Sequence, residues 1–210
     1  FGIIRLGFIQ MALGSLVSIA ASTFNRVMVV ELSLLQIIPG LLLALHYFIQ
    51  ISRPNWGFLS DKGGNRTFWI IVGVIILCLG SILACFGILL IPKNYILGLV
   101  FSIFAYTLIG IGVGASGTSL LAFLATRTDY NKKAAAATIT WIMMIFGAAF
   151  TAIFVGKIID PYTIEKLLKI VTVISLFWII ISFITLYKLE RTFKPKINKH
   201  LEPVEITFFQ

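Results

Sequence analysis

GVGASG, Gly112–Gly117, fits the pattern G-x-G-x-x-G, and its reading decides the fold. As a dinucleotide fingerprint it would follow a strand and open a helix, so that free N–H groups face a pyrophosphate. It lies instead inside an apolar run, Ile96–Ala125, with no turn residues before it. There the amide hydrogens are spent within a helix, because nothing in hydrocarbon replaces those bonds. Gly110, Gly112, Gly114 and Gly117, with Ala115 and Ser116, make a surface of small side chains. Gly110 and Gly114 form a GxxxG step, which lets a second helix approach closely. The motif reads as a helix-packing face.

The whole chain agrees with a membrane setting. Of 210 residues, 59% are hydrophobic and 12% charged, and the mean hydropathy is +1.02. A soluble domain cannot cover that much apolar surface with polar side chains. Apolar runs of about 20 residues recur, enough to cross roughly 30 Å of hydrocarbon as helices. The expected spans are six: Ile3–Phe24, Leu34–Ser52, Phe68–Ile91, Ile96–Ala125, Ala134–Lys157 and Leu167–Tyr187. The fourth exceeds a perpendicular crossing and should tilt or run past the interface. The connections read as Asn25–Ser33, Arg53–Thr67, Pro92–Tyr95, Thr126–Lys133 and Ile158–Lys166. The chain opens on Phe1 and enters its first apolar run at once, so a fragment of a longer protein is expected. Cys78 and Cys85 share one run, about 10 Å apart along a helix, too far for a mutual disulfide.

Small-residue seams recur. Gly73, Gly80 and Gly87 fall every seven residues in the third span. The fifth carries Ala134–Ala137, then Gly147, Ala148, Ala149, Ala152 and Gly156. Positive charge gathers on one side: Arg5, then Arg53, Lys62 and Arg66, then Arg127, Lys132 and Lys133, then the tail from Lys188. That bias predicts that both ends face the cytoplasm. The net charge of +9 reads as a basic rim facing lipid, with no nucleic-acid partner.

The connection GFLSDKGGNR, Gly57–Arg66, is similar to the signature of the major facilitator superfamily, G-x-x-x-D-[RK]-x-G-[RK]-[RK], between its second and third helices. Gly57, Asp61, Lys62, Gly64 and Arg66 match, while Asn65 stands where the family has a basic residue. The resemblance implies an all-α integral membrane fold. Residues 1–187 would be the N-terminal six-helix half, two inverted three-helix repeats, and 188–210 the start of a central cytoplasmic loop before a missing second half. The loop is a gating element in which Asp61 is expected to cap a helix and pair with Arg127.

No Asp, Glu, Lys or Arg falls mid-span, where an ionisable relay would mark proton coupling. Tyr106 or Leu108 stands where facilitators often carry Arg on the fourth helix, and Trp141–Gly156 lacks the antiporter proline. RLGFIQMALG (5–14), STFNRVMVVEL (22–32), ALHYFIQISRPNWGFLSDKGG (44–64), GVGASGTSLLAFLATR (112–127) and AAAATITWIMMIFG (134–147) resemble the PucC family. Within it the chain looks like the bacteriochlorophyll-linked branch once labelled a bacteriochlorophyll synthase subunit. The resemblance implies a membrane assembly factor that supplies or shields bacteriochlorophyll while light-harvesting polypeptides insert. A small-molecule carrier and a pigment-biosynthesis enzyme subunit are the alternatives. No nucleophile–base pair, acidic cluster or metal-ligating set is present in the sequence, so no enzymatic activity is expected.

Candidate residues follow. His46 is the histidine within a span, and a neutral imidazole can ligate the magnesium of bacteriochlorophyll. Tyr47 and Trp141 are candidates to line the same apolar site. Asn25, Arg26 and Glu31 flank the far exit of the first span, as a cap or ion pair that fixes the loop or as a docking surface for antenna polypeptides.

Overall fold

The computed structural model describes residues 2–62, 65–187 and 189, and every regular element among them is helical. Helix α1 spans Gly2–Glu31. Helix α2, Ile37–Ile49, passes through a 3-10 turn, Gln50–Ser52, into α3, Arg53–Lys62. Then come α4 (Arg66–Leu90), α5 (Tyr95–Arg127), α6 (Lys133–Ile158) and α7 (Ile164–Leu186). Five segments, containing α1, α4, α5, α6 and α7, are long and apolar enough to cross a membrane among the described residues. Gly64, His200 and all of 188–210 except Leu189 lie outside the described residues.

Two expected connections are corrected. Asn25–Ser33 is not a loop throughout, because α1 continues to Glu31 through two wide π turns, Ile19–Thr23 and Val27–Glu31. No Gly or Pro interrupts residues 19–32, so nothing stops the helix there. Likewise Arg53–Lys62 is helical, and the second expected span, Leu34–Ser52, is not one unbroken α-helix. Pro54 has no N–H to give the Gln50 carbonyl, which takes the Arg53 N–H instead and tightens that turn to 3-10.

The longest contact joins α4 and α5. A Cβ on Gly73 would stand 2.5 Å from the Ser116 nitrogen, on Gly80 2.9 Å from that of Ile109, and on Gly87 2.5 Å from Ser102 Oγ. From α5, a Cβ on Gly112 would lie 2.5 Å from the Leu77 nitrogen. The partners descend by seven as the glycines ascend by seven. The two helices are therefore antiparallel in constant register, over about 21 Å from Gly73 to Gly87. Gly110 admits α2 instead, its Cβ position 2.8 Å from the His46 carbonyl oxygen. Gly114 and Gly117 are looser, with nearest side-chain atoms at 3.4 Å (Trp56) and 3.7 Å (Leu13).

A second seam joins α1 and α6 in parallel. A Cβ on Gly14 would lie 2.1 Å from the Met144 carbonyl oxygen, and one on Gly147 2.5 Å from that of Met11. Gly7, against the Met143 sulfur, belongs to the same seam. Ser15 Oγ, 2.7 Å from Thr151 Oγ1, also accepts from Trp178 Nε1 at 2.9 Å, so one hydroxyl ties α1, α6 and α7. That acceptor lets a buried indole keep its hydrogen bond. At the end of the bundle, Arg5 donates to the carbonyls of Thr185 (2.6 Å) and Tyr187 (2.5 Å). It thereby satisfies acceptors that the C-terminus of α7 leaves open.

Gly112→Ala should lower the thermal unfolding midpoint in mild detergent, at a cost of about 1–3 kcal/mol for the overpacked seam. Gly40→Ala, where a Cβ meets nothing within 4 Å among the described residues, should not. Equal midpoints for the two variants would count against the seam.

Candidate functional site

Three polar groups stand out from the apolar bundle. The first lies at the junction of α3, α4 and α5. Asn65 caps α4, its side-chain oxygen accepting the Phe68 N–H at 3.1 Å. The cap expected of Asp61 is thus supplied by the residue that departs from the facilitator pattern. Asp61 pairs with Arg66 at 2.6 Å, rather than with Arg127 as expected. Arg66 also donates to the Ala122 carbonyl at 2.7 Å and to Thr126 Oγ1, so one guanidinium at the start of α4 binds the ends of both α3 and α5. Its fixed fork of donors suits that bridging role. Arg127 stands over the Phe123 ring, 5.9 Å from its centroid. Gly57 packs α3 on α5, with a Cβ position 3.3 Å from the Thr118 methyl, and Lys62 is exposed.

The second group is a ladder from the end of α2 through the 3-10 turn to the start of α3. Arg53 donates to Gln50 Oε1, which turns the Gln50 amide nitrogen toward His46 Nε2, 2.9 Å away. An amide nitrogen donates, so Nε2 is the acceptor and the imidazole proton sits on Nδ1. Nδ1 is buried without a hydrogen-bond partner among the described residues. His46 is 1% exposed, so a macrocycle reaching its free electron pair must displace Gln50 and part α2 from α5. Tyr47 packs edge-on against His46, ring centroids 4.8 Å apart, and is itself 56% exposed. Trp141, on α6, is also exposed.

The third group sits at the opposite end of α1. Arg26 pairs with Asp160 at 2.8 Å, across to the connection between α6 and α7; the partner is not Glu31. Both side chains are about half exposed, so the pair positions the chain more than it stabilises it, at about 0.2–1 kcal/mol. Asn25 is half-buried beside Arg26. Deeper in, the Tyr106 hydroxyl donates to the Ala20 carbonyl at 3.0 Å, within the first wide turn. Arg26 and Glu31 line a cavity of about 150 Å³ together with Ser22, Thr23, Gly156 and Tyr162. The sequence does not single out Tyr162, Asp160, Gln50 or Thr126 as site residues. Their partners are distant in the chain or apart from any motif, and only Gly7 and Gly14, seven apart, left a readable spacing.

Long apolar helices packed through glycine seams, with charge confined to their ends, define a polytopic helical membrane protein. The model of the PUCC protein family matches residues 23–207, and the chain belongs to that family. It is 48% identical over 201 residues to the "Bacteriochlorophyll synthase 44.5 kDa chain" of Rhodobacter capsulatus, a match covering 96% of this chain and 47% of the relative. It is 27% identical over 218 residues to "Protein PucC" of Cereibacter sphaeroides, covering 95% of this chain and 47% of the relative. "Protein PucC" of Rhodobacter capsulatus is 24% identical over 200 residues, 90% of this chain and 43% of the relative. The chain thus spans about half the length of the curated relatives it matches. No solved structure matches. The expectation of no enzymatic activity is corrected: the relative at 48% identity bears the name of an enzyme subunit.

Replacing Arg66 with Ala should loosen the junction of α3, α4 and α5 by about 1–2 kcal/mol, since both carbonyl and carboxylate bonds are lost. Asp61→Asn should cost less, because the bonds to α5 persist. Limited trypsin cleavage after Lys62 reads the difference, and equal rates in the two variants would contradict the bridging role.

Proposed function

We propose that this chain is the membrane unit of a bacteriochlorophyll-handling protein that supplies or shields pigment while light-harvesting polypeptides assemble. The observation that carries the reading is the 48% identity, over nearly the whole chain, to a protein named for bacteriochlorophyll synthesis. Membership of the PUCC family supports it. In this reading residues 1–187 form six crossings, with α2 and its 3-10 turn as the second, arranged as the two inverted three-helix repeats of a major facilitator half. Residues 188–210 then open the connection to a second six-helix half, which the greater length of the relatives supports. Basic residues at one set of helix ends, Arg5, Arg66, Arg127 and Lys133 among them, favour termini in the cytoplasm of a bacterial inner membrane. The partners are lipid, pigment and antenna polypeptides. Exposed Tyr47 and Trp141 are candidate contacts for a flat apolar ligand.

The name of the Rhodobacter capsulatus relative favours a second reading, in which the chain is a subunit of a bacteriochlorophyll-synthesising complex. One preparation separates the two. The tagged protein is isolated from a pigment-making photosynthetic host in mild detergent, beside an unrelated membrane protein. Bacteriochlorophyll absorption above that control, with antenna polypeptides, is the expected result. Pigment-forming activity without antenna polypeptides selects the second reading, and the absence of pigment, antenna polypeptides and activity sinks both. His46→Ala should retain pigment, because the Nε2 electron pair is already held by Gln50. Loss of pigment with unchanged folding would reinstate His46 as the ligand.

A further inference from the structure

The segment STFNRVMVVEL, 22–32, was singled out in the sequence and has no part in the helix seams. It forms one wall of the cavity at the far end of α1, between the two wide turns Ile19–Thr23 and Val27–Glu31. π turns of this kind concentrate at functional positions in helices. Gly156 forms the facing wall, and a Cβ there meets nothing within 4 Å among the described residues. Helix packing therefore does not require that glycine, in contrast to Gly147 on the same helix, whose Cβ would strike the Met11 carbonyl. What the missing side chain does is keep the cavity open.

Tyr162 supplies the chemistry. Its hydroxyl is buried at the cavity without a hydrogen-bond partner among the described residues. A buried donor left unmet loses the hydrogen bond it makes to water in the unfolded chain, so an acceptor placed there is favoured. Burial, and then the Glu31 carboxylate, push the Tyr162 hydroxyl upward, so it stays a neutral donor. The charges around it do not favour an anion, since Arg26 is already bound to Asp160 and Glu31 adds a carboxylate to the lining. Val27, Ala152 and Ile159 make the rest of the wall apolar.

We propose that this cavity binds the carbonyl end of a neutral amphiphile, an ester or ketone oxygen accepting from Tyr162 while the hydrocarbon part leaves through the open side. A volume of about 150 Å³ takes such an end and not a whole molecule, since pockets that enclose a drug-sized ligand start near 300 Å³. Both bacteriochlorophyll, through its ring ketone or esters, and a diacyl lipid carry this group. The site stands apart from the pigment-handling reading, because a lipid ester satisfies it equally.

The test uses the protein as its host makes it, purified in dodecyl maltoside, a detergent without a carbonyl group, as wild type, Tyr162→Phe and Gly156→Leu. The probes are bacteriochlorophyll a, read by resonance Raman, and carbonyl-labelled diacylglycerol, read by infrared difference spectra. One probe should bind with its carbonyl stretch displaced to lower frequency, and the probe that does so names the source. Tyr162→Phe should abolish the displacement and weaken binding about tenfold, the worth of one buried hydrogen bond. Gly156→Leu should fill the cavity and weaken binding further. If neither probe shows the displacement, or if both variants bind as the wild type does, the site is overturned. Pigment held equally by all three proteins removes this site and leaves the pigment-handling reading in place.

Discussion

The bundle depends on the approach of α4 to α5. In hydrocarbon, two apolar helices gain nothing by hiding from lipid tails, so contact and hydrogen bonds must hold them together. Gly73, Gly80, Gly87 and Gly112 allow backbone atoms to meet where any side chain would hold the helices apart. Helices α2, α3 and α7 are placed against that pair, while α6 is held by its own seam with α1. α2 reaches α5 at Gly110, α3 lies on it through Gly57, and α7 touches α4, where Cys78 donates weakly to the Ser175 carbonyl at 3.5 Å.

Charged groups are then pushed to the ends of the helices. Within the spans some buried hydroxyls bond back to carbonyls one turn earlier, as Ser81 and Ser102 do, or bridge helices, as Ser15 does, while those of Ser116, Ser119, Ser175 and Ser182 find no partner among the described residues. Charges are confined to two regions on opposite ends of the bundle. Arg66 gathers the α3, α4 and α5 ends through Asp61, Ala122 and Thr126, while Arg26 draws the end of α1 to Asp160. The first is a mechanical junction between short connections. The second frames a cavity with an unspent hydroxyl, which is why it is the better place for a ligand.

A relative at 48% identity is named for bacteriochlorophyll synthesis, and under the proposed pigment-handling reading the geometry bears on how such a molecule is held. His46, the obvious magnesium ligand by residue type, spends its acceptor nitrogen on Gln50 because Arg53 fixes the orientation of that amide. Two residues, one in the turn between α2 and α3 and one at the start of α3, thus decide the tautomer of one in α2. Tyr162, an ordinary interfacial aromatic by residue type, has an open donor at the cavity lined by the two wide turns of α1.

The sequence by itself determined the membrane class, through apolar runs too long and too numerous for a soluble domain. It also excluded a phosphate cradle at GVGASG, because amide hydrogens spent within a hydrocarbon helix are not free to face a ligand. Spacing exposed the Gly73, Gly80 and Gly87 stripe, since a seven-residue repeat stays on one helix face. It did not expose which residue meets which. Asp61 chose Arg66 over Arg127, and Arg26 chose Asp160 over Glu31, because pairing follows distance in space, and helix register sets that distance. The continuation of α1 past Asn25 and the break at Gln50–Ser52 were likewise decided by backbone hydrogen bonding, by donors that persist in one case and by the one Pro54 lacks in the other. The cavity at Tyr162 exists only in three dimensions, because its walls come from residues more than a hundred positions apart that α1 and α6, running parallel, bring side by side.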